Sequence, residues 1–177
     1  MPEQREARTL ACQCGAVAFE AVGTPIVSAA CYCASCQEAG RRIEQLTGAP
    51  PVLDADGATA FVLYRKDRVR CVRGGERLEA HRLQPDSPTR RMVASCCNSA
   101  MCLDFTKGHW LTLYRGRLVE GPPPLEMRVM TANRREGVDL PADVPNYAGH
   151  SGRFMWKLLS AWMAMGLRAP KVAGVPD

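Results

Sequence analysis

Cys31-Tyr32-Cys33-Ala34-Ser35-Cys36-Gln37 brings three thiols into one short run. A free cysteine often serves as a small buried hydrophobe. Three so close together fit metal ligation better: sulfurs at i, i+2 and i+5 of a tight turn converge on one tetrahedral cation at a metal–sulfur distance of about 2.3 Å. Three sulfurs leave a fourth position, to be filled by water, by substrate or by a distant ligand, for which Cys71 and Cys102 are available thiols. Three protein ligands with one exchangeable position is the arrangement of a catalytic zinc. The residues before the cluster, 26–30, are a short apolar run, and 37–46 after it have a helix-tolerant composition, so the cluster belongs at a strand-to-helix junction.

Upstream, Cys12-Gln13-Cys14-Gly15 opens a segment, 10–22, whose partial alternation around Val17 and Phe19 predicts a strand entered through a glycine turn. Two sulfurs need a distant pair to close a four-thiolate site, and Ser95-Cys96-Cys97-Asn98-Ser99 supplies one from a second turn. Side chains of adjacent residues usually diverge. Cys97 is therefore the expected ligand, with Cys96 either coordinating in a distorted turn or standing as a packed thiol.

Short strands are predicted over 60–64, 69–72, 78–83, 91–94, 101–105 and 110–114, separated by Pro, Gly-Gly and charged punctuation, a spacing that favours an antiparallel sheet. A proline-rich run begins at Gly121. Beyond it, 151–167 places Phe154, Leu158, Trp162 and Met165 at helical spacing beside Met155, Leu159 and Met163, with Ser151 as N-cap and Gly166 near the end. The expected organisation is a polar leader (1–9), a β domain (10–120), a proline-containing extension (121–150), a C-terminal amphipathic helix (151–168) and a tail (169–177).

A length of 177 residues with 46% apolar content suits one packed domain. The charged start lacks the apolar stretch of a secretory signal and no later run suits a bilayer span, which predicts a cytoplasmic protein. Nine cysteines there are expected to be reduced, and an odd number cannot all pair, so metal explains them better than disulfides. The net charge of +5 is modest and dispersed. Arg90, Arg91, Arg134 and Arg135 come without stacking aromatics or a reading motif, which argues against specific nucleic-acid binding.

At its cysteines the chain resembles the superfamily of glutathione-dependent formaldehyde-activating enzymes and centromere protein V, whose pattern is Cys-x-Cys-Gly, then Cys-x-Cys-x-x-Cys, then a late Cys-x-x-Cys-Gly. The resemblance runs over 10–118. It implies a zinc-stabilised, mostly antiparallel β-tent with one or two Zn2+ ions: a structural site on Cys12, Cys14 and the late pair, and an open site on Cys31, Cys33 and Cys36. The departure is at the late motif, where Ala94 stands for the first cysteine and Asn98 for glycine. One structural ligand is thus missing or has moved to Cys96.

The activity the resemblance implies is carbon–sulfur bond chemistry on a glutathione or other thiol adduct. A zinc already carrying three thiolates is a weak electrophile, so holding a substrate thiolate is its more natural role than generating hydroxide. Arg41 and Arg42, or Arg65 and Lys66, are candidates to receive the carboxylates of such a thiol, unless they form an ordinary solvated face. His81, His109, His150 and Glu38 are the available proton carriers, none in a recognisable catalytic motif. The alternative is a non-enzymatic, zinc-stabilised binding module. Its docking element would be the C-terminal helix, with Trp156 and Trp162 flanked by Arg153, Lys157 and Arg168, unless that helix only covers its own sheet.

Overall fold

A computed structural model describes residues 7–176; residues 1–6 of the expected leader and residue 177 of the expected tail lie outside the described residues. The chain is mainly β. Strands β1 (Ala7–Ala11), β2 (Ala18–Val22) and β5 (Val69–Arg73) form a small sheet in the order β1-β2-β5. The larger sheet contains β3 (Val27–Cys31), β4 (Thr59–Arg65), β6 (Leu78–His81), β7 (Thr89–Ala94), β8 (Ser99–Phe105), β9 (Trp110–Tyr114) and β10 (Met127–Val129). Its order is β10-β3-β4-β9-β8-β7-β6. All pairings are antiparallel except that of β10 with β3.

Alternation along the central strands divides the interior in two. On β4, Val62 and Tyr64 face a core shared with Leu10 and Phe19 of the small sheet and with Val17 just before β2. Phe61 and Leu63 face the opposite way, into a second core that includes helical residues. β9 repeats the pattern, with Leu111 and Leu113 on the first side and Trp110 and Tyr114 on the second.

Helix α1 (Ala34–Glu44) buries Cys36, Gly40 and Ile43 at helical spacing against that second core. Gly40 lets Leu53 pack close to the helix: a Cβ there would lie 2.4 Å from Leu53 Cδ2 and force that side chain to move. Helix α2 (Gly152–Ala164) starts where Ser151 Oγ accepts the Phe154 N–H at 3.0 Å. Phe154 and Leu158 are buried one turn apart, so this face covers the chain's own sheet. Trp156 is 61% exposed, and Met155, Leu159 and Met163 are exposed with it. Trp162, expected on the inner stripe, stands at the helix margin stacked on His109.

Several boundaries differ from the sequence reading. Segment 10–22 is two strands joined by the cysteine loop, and residues 7–9 of the expected leader belong to β1. The helix read over 37–46 begins at Ala34 because Cys33 caps it. The strand read over 78–83 ends at His81. Inside the proline-containing segment, β10 adds an edge strand, which its three-residue length hid from any periodicity. The tail is held down as well, for Cys71 N–H donates to Ala173 O at 2.8 Å and Val172 is buried. Among the described residues, no helix is long and apolar enough to cross a membrane.

Candidate metal centres

The first cysteine group forms where two hairpin tips meet. Cys12 N–H donates to Val17 O, continuing the β1–β2 ladder, and Gly15, at φ +76°, turns the chain between them. The β7–β8 hairpin contributes the other tip: its ladder closes at Ala94 opposite Ser99, Cys97 N–H donates to Ala94 O, and Asn98 adopts φ +52°. Asparagine tolerates the left-handed region better than other non-glycine residues, which explains how it stands in for glycine here. Gln13 N–H donates to Ser99 Oγ at 3.0 Å and ties the tips together.

The sulfurs of Cys12, Cys14, Cys96 and Cys97 all lie within 4.8 Å of one another. Cys14 and Cys96 are 3.3 Å apart, Cys12 and Cys14 3.6 Å, and Cys96 is 3.9 Å from both Cys12 and Cys97. A tetrahedron with metal–sulfur bonds of about 2.3 Å has sulfur–sulfur edges of about 3.8 Å, so the four thiols lie close to the spacing of a closed tetrahedral site. The divergence expected of adjacent cysteines does not occur, because the turn between β7 and β8 reverses within these residues. Burial raises the Cys97 thiol, but hydrogen bonds from Ser99 and from the Cys14 backbone outweigh it and hold Cys97 down at about 6.

The second group lies at the end of β3 and the start of α1. Cys31 is the last residue of β3, paired with Thr59 on one side and Val129 on the other. Cys33 is the α1 N-cap, its sulfur accepting the Cys36 N–H at 3.4 Å, a position where helix amides favour a thiolate. Between them Tyr32 is fully buried, its hydroxyl donating to Asp56 Oδ2 at 2.6 Å. Gln37 Nε2 donates to Tyr32 O and Asn133 O at 2.6 and 2.8 Å, fixing the turn from behind. The sulfurs of Cys31, Cys33 and Cys36 lie within 4.8 Å of each other. Hydrogen bonds from Cys31 and Cys36 hold the Cys33 thiol far below the usual range, while Cys31 is raised chiefly by its bond with Cys33 and Cys36 by its bonds with Cys31 and then Cys33. A divalent soft-tolerant cation would remove that competition by making all three thiolates.

All three cysteines line a cavity of about 340 Å³. Its floor is the outer face of the large sheet, with Phe61, Leu63, Leu103 and Trp110, and Phe154 of α2 walls it in. Arg91 and His150 also reach it. Arg91 is only 3% exposed, and its Nη2 donates to Ser35 O at 3.3 Å.

Other candidates are placed elsewhere. Cys71 hydrogen-bonds Ala18 O and Arg73 O beside the first core, and Cys102 is wholly buried within that core, so neither belongs to the three-cysteine group. Lys66 is buried against Asp104 Oδ1 at 2.8 Å, and Arg65 chelates Asp67, which takes both from any thiol carboxylate. Arg41 and Arg42 pair with Glu38 on the exposed face of α1. Arg90 is buried on Asp104. His81 pairs across the sheet with Arg91, three residues from the Leu78–Ala94 end that adjoins the late cysteines. His109 is buried, its Nε2 2.8 Å from Leu158 O. His150, edge-on to Phe154, is the histidine on the cavity wall.

Two cysteine groups on a two-sheet β scaffold, each with the spacing to hold a metal ion, define a thiolate metal-site protein of mainly β architecture. The family model described as glutathione-dependent formaldehyde-activating enzyme matches residues 7–122, more than half of the chain, and the chain belongs to that family. None of the curated proteins compared with it matches. Among solved structures, a crystal structure of a Rhodobacter sphaeroides protein is similar at 18% identity and a TM-score of 0.45, covering 78% of this chain and 98% of that one.

Proposed function

We propose that this chain is a two-zinc protein of its family in which Cys12, Cys14, Cys96 and Cys97 hold a structural ion and Cys31, Cys33 and Cys36 hold an open one, acting as a carbon–sulfur lyase on a glutathione or other thiol adduct in the cytoplasm. The observation that carries this reading is the contrast between the groups. Four sulfurs make a closed site, whereas three sulfurs on a cavity wall, joined among the described residues by no further Cys, His, Asp or Glu, leave room for a substrate sulfur. Nine free thiols suit a reducing compartment.

A bound zinc would supply charge compensation for a substrate thiolate and fix its sulfur. The protein's own residues do the rest. The Tyr32–Asp56 and Gln37 hydrogen bonds hold the ligand turn rigid, and Phe154 with the sheet face limits water around the reacting carbon. His150 is the wall residue able to carry a proton. In the cleavage direction the thiohemiacetal O–H loses its proton, the carbon–oxygen double bond forms, the carbon–sulfur bond breaks with its electron pair going to sulfur, and the sulfur regains a proton.

The test is exchange NMR on an equilibrium mixture of glutathione and an aldehyde. Zinc-loaded protein is expected to speed exchange between free aldehyde and thiohemiacetal, and Cys33→Ser to abolish the effect. No acceleration by fully loaded wild type, for glutathione or for any other thiol offered, would instead favour the zinc-stabilised binding module.

A further inference from the structure

The cavity beside Cys31, Cys33 and Cys36 has a chemistry of its own. Phe61, Leu63, Leu103, Trp110 and Phe154 give it apolar walls, and among the described residues Arg91 is the only Lys, Arg, Asp or Glu on them. At about 340 Å³ it is far larger than a one-carbon aldehyde requires and lies in the range of small-molecule sites. Glutathione suits it badly. That tripeptide carries two carboxylates and an ammonium, and among the described residues no acidic side chain on the wall meets the ammonium. Moving unpaired charges onto an apolar wall costs enough to offset much of what a small ligand gains by binding.

Arg91 is itself an unusual wall residue. Its side chain is buried, and among the described residues no carboxylate pairs with it. The Ser35 carbonyl engages only part of a guanidinium that has five N–H donors, leaving capacity for an acceptor in the cavity.

Resting on the open-site reading above, we infer that the substrate is a thiol or thiol adduct with an apolar, aromatic-sized body and a single carboxylate. Its sulfur is held at the three-cysteine site, its body lies against Phe61, Leu63 and Phe154, and its carboxylate is on Arg91. This narrows the substrate class away from a multiply charged peptide thiol.

Cobalt(II)-loaded protein tests the inference through the sulfur-to-cobalt charge-transfer band, with Cys33→Ser as the blank for the four-cysteine site. The probes are glutathione, benzyl mercaptan and thiomandelate, which is benzyl mercaptan bearing one carboxylate on the carbon next to sulfur. Thiomandelate is expected to shift the band at a concentration at least tenfold below glutathione. In Arg91→Met it should weaken about tenfold while benzyl mercaptan is unchanged. Glutathione binding as tightly as thiomandelate would overturn the inference and leave the open site standing. Equal losses of both aromatic thiols in Arg91→Met would remove the carboxylate contact. If that variant fails to fold, the ranking of the three probes on wild type alone decides. No band shift with any thiol would sink the open-site reading itself.

Discussion

Cys96 lies two residues beyond Ala94, and its sulfur, 3.3 Å from that of Cys14, is as much part of the group as Cys97. Cys96→Ser is therefore expected to release one metal per chain to a chelator at least tenfold faster than wild type. Cys71→Ala, which touches neither group, should leave release unchanged; a colorimetric chelator assay reads both. A second residue, Asp104, carries weight through charge. It is buried between Lys66 and Arg90, each at 2.8 Å. Asp104→Ala strands two buried cations, and breaking a buried ion network from one side costs ~3–5 kcal/mol, to be read from denaturant unfolding. Lys66 also shows where single-sequence reading stops. Within Arg65-Lys66-Asp67-Arg68 it looks like a surface charge, because its partners Asp104 and the Phe105 carbonyl arrive from β8, a distant part of the chain.

At the scale of elements, hairpin tips and helix starts position the chemistry. The spacing of Cys12 and Cys14, of Cys96 and Cys97, and of Cys31, Cys33 and Cys36 made the turns legible, since close thiols have few structural uses. The strands of the large sheet were legible where aromatic and branched residues cluster, as in Phe61 to Tyr64 and Trp110 to Tyr114. The cavity was not. Its wall takes residues from six strands and both helices, and only the assembled sheet turns Arg91 from one basic residue among many into a buried guanidinium. Helix α2 closes that cavity and is pinned by His109, whose ring lies between Trp110 and Trp162 and meets Leu158 O. Burial, with Lys66 and Arg65 nearby, holds the His109 pKa below its ordinary value near 6.5. The unfolded chain then takes up a proton before the folded one does, so stability is lost as pH falls below about 6.5. His109→Gln should show a smaller stability loss between pH 7.5 and about 5.5 than wild type in paired denaturant titrations, and an equal loss would contradict the assignment.

The whole molecule is two sheets joined at a seam. The β1–β2 tip comes from the small sheet and the β7–β8 tip from the large one, so an ion on Cys12, Cys14, Cys96 and Cys97 would staple the two together and contribute to folding directly. The three-cysteine group lies on the far face of the large sheet, toward the helices and the second core. Sequence order alone could assign the cysteines to two groups but not to two faces, because facing is set by the register of β3 between β4 and β10, and β10 was itself hidden in a proline-rich run. The two cysteine groups therefore form separate sites on opposite faces of the large sheet. This separation is tested most directly by counting zinc per chain in wild type, Cys14→Ser and Cys33→Ser, each purified without added metal. Two ions in wild type and one in each variant, with glutathione or thiomandelate perturbing only the ion that Cys33→Ser removes, is the predicted result. A single ion that survives Cys33→Ser and ignores thiols would contradict it.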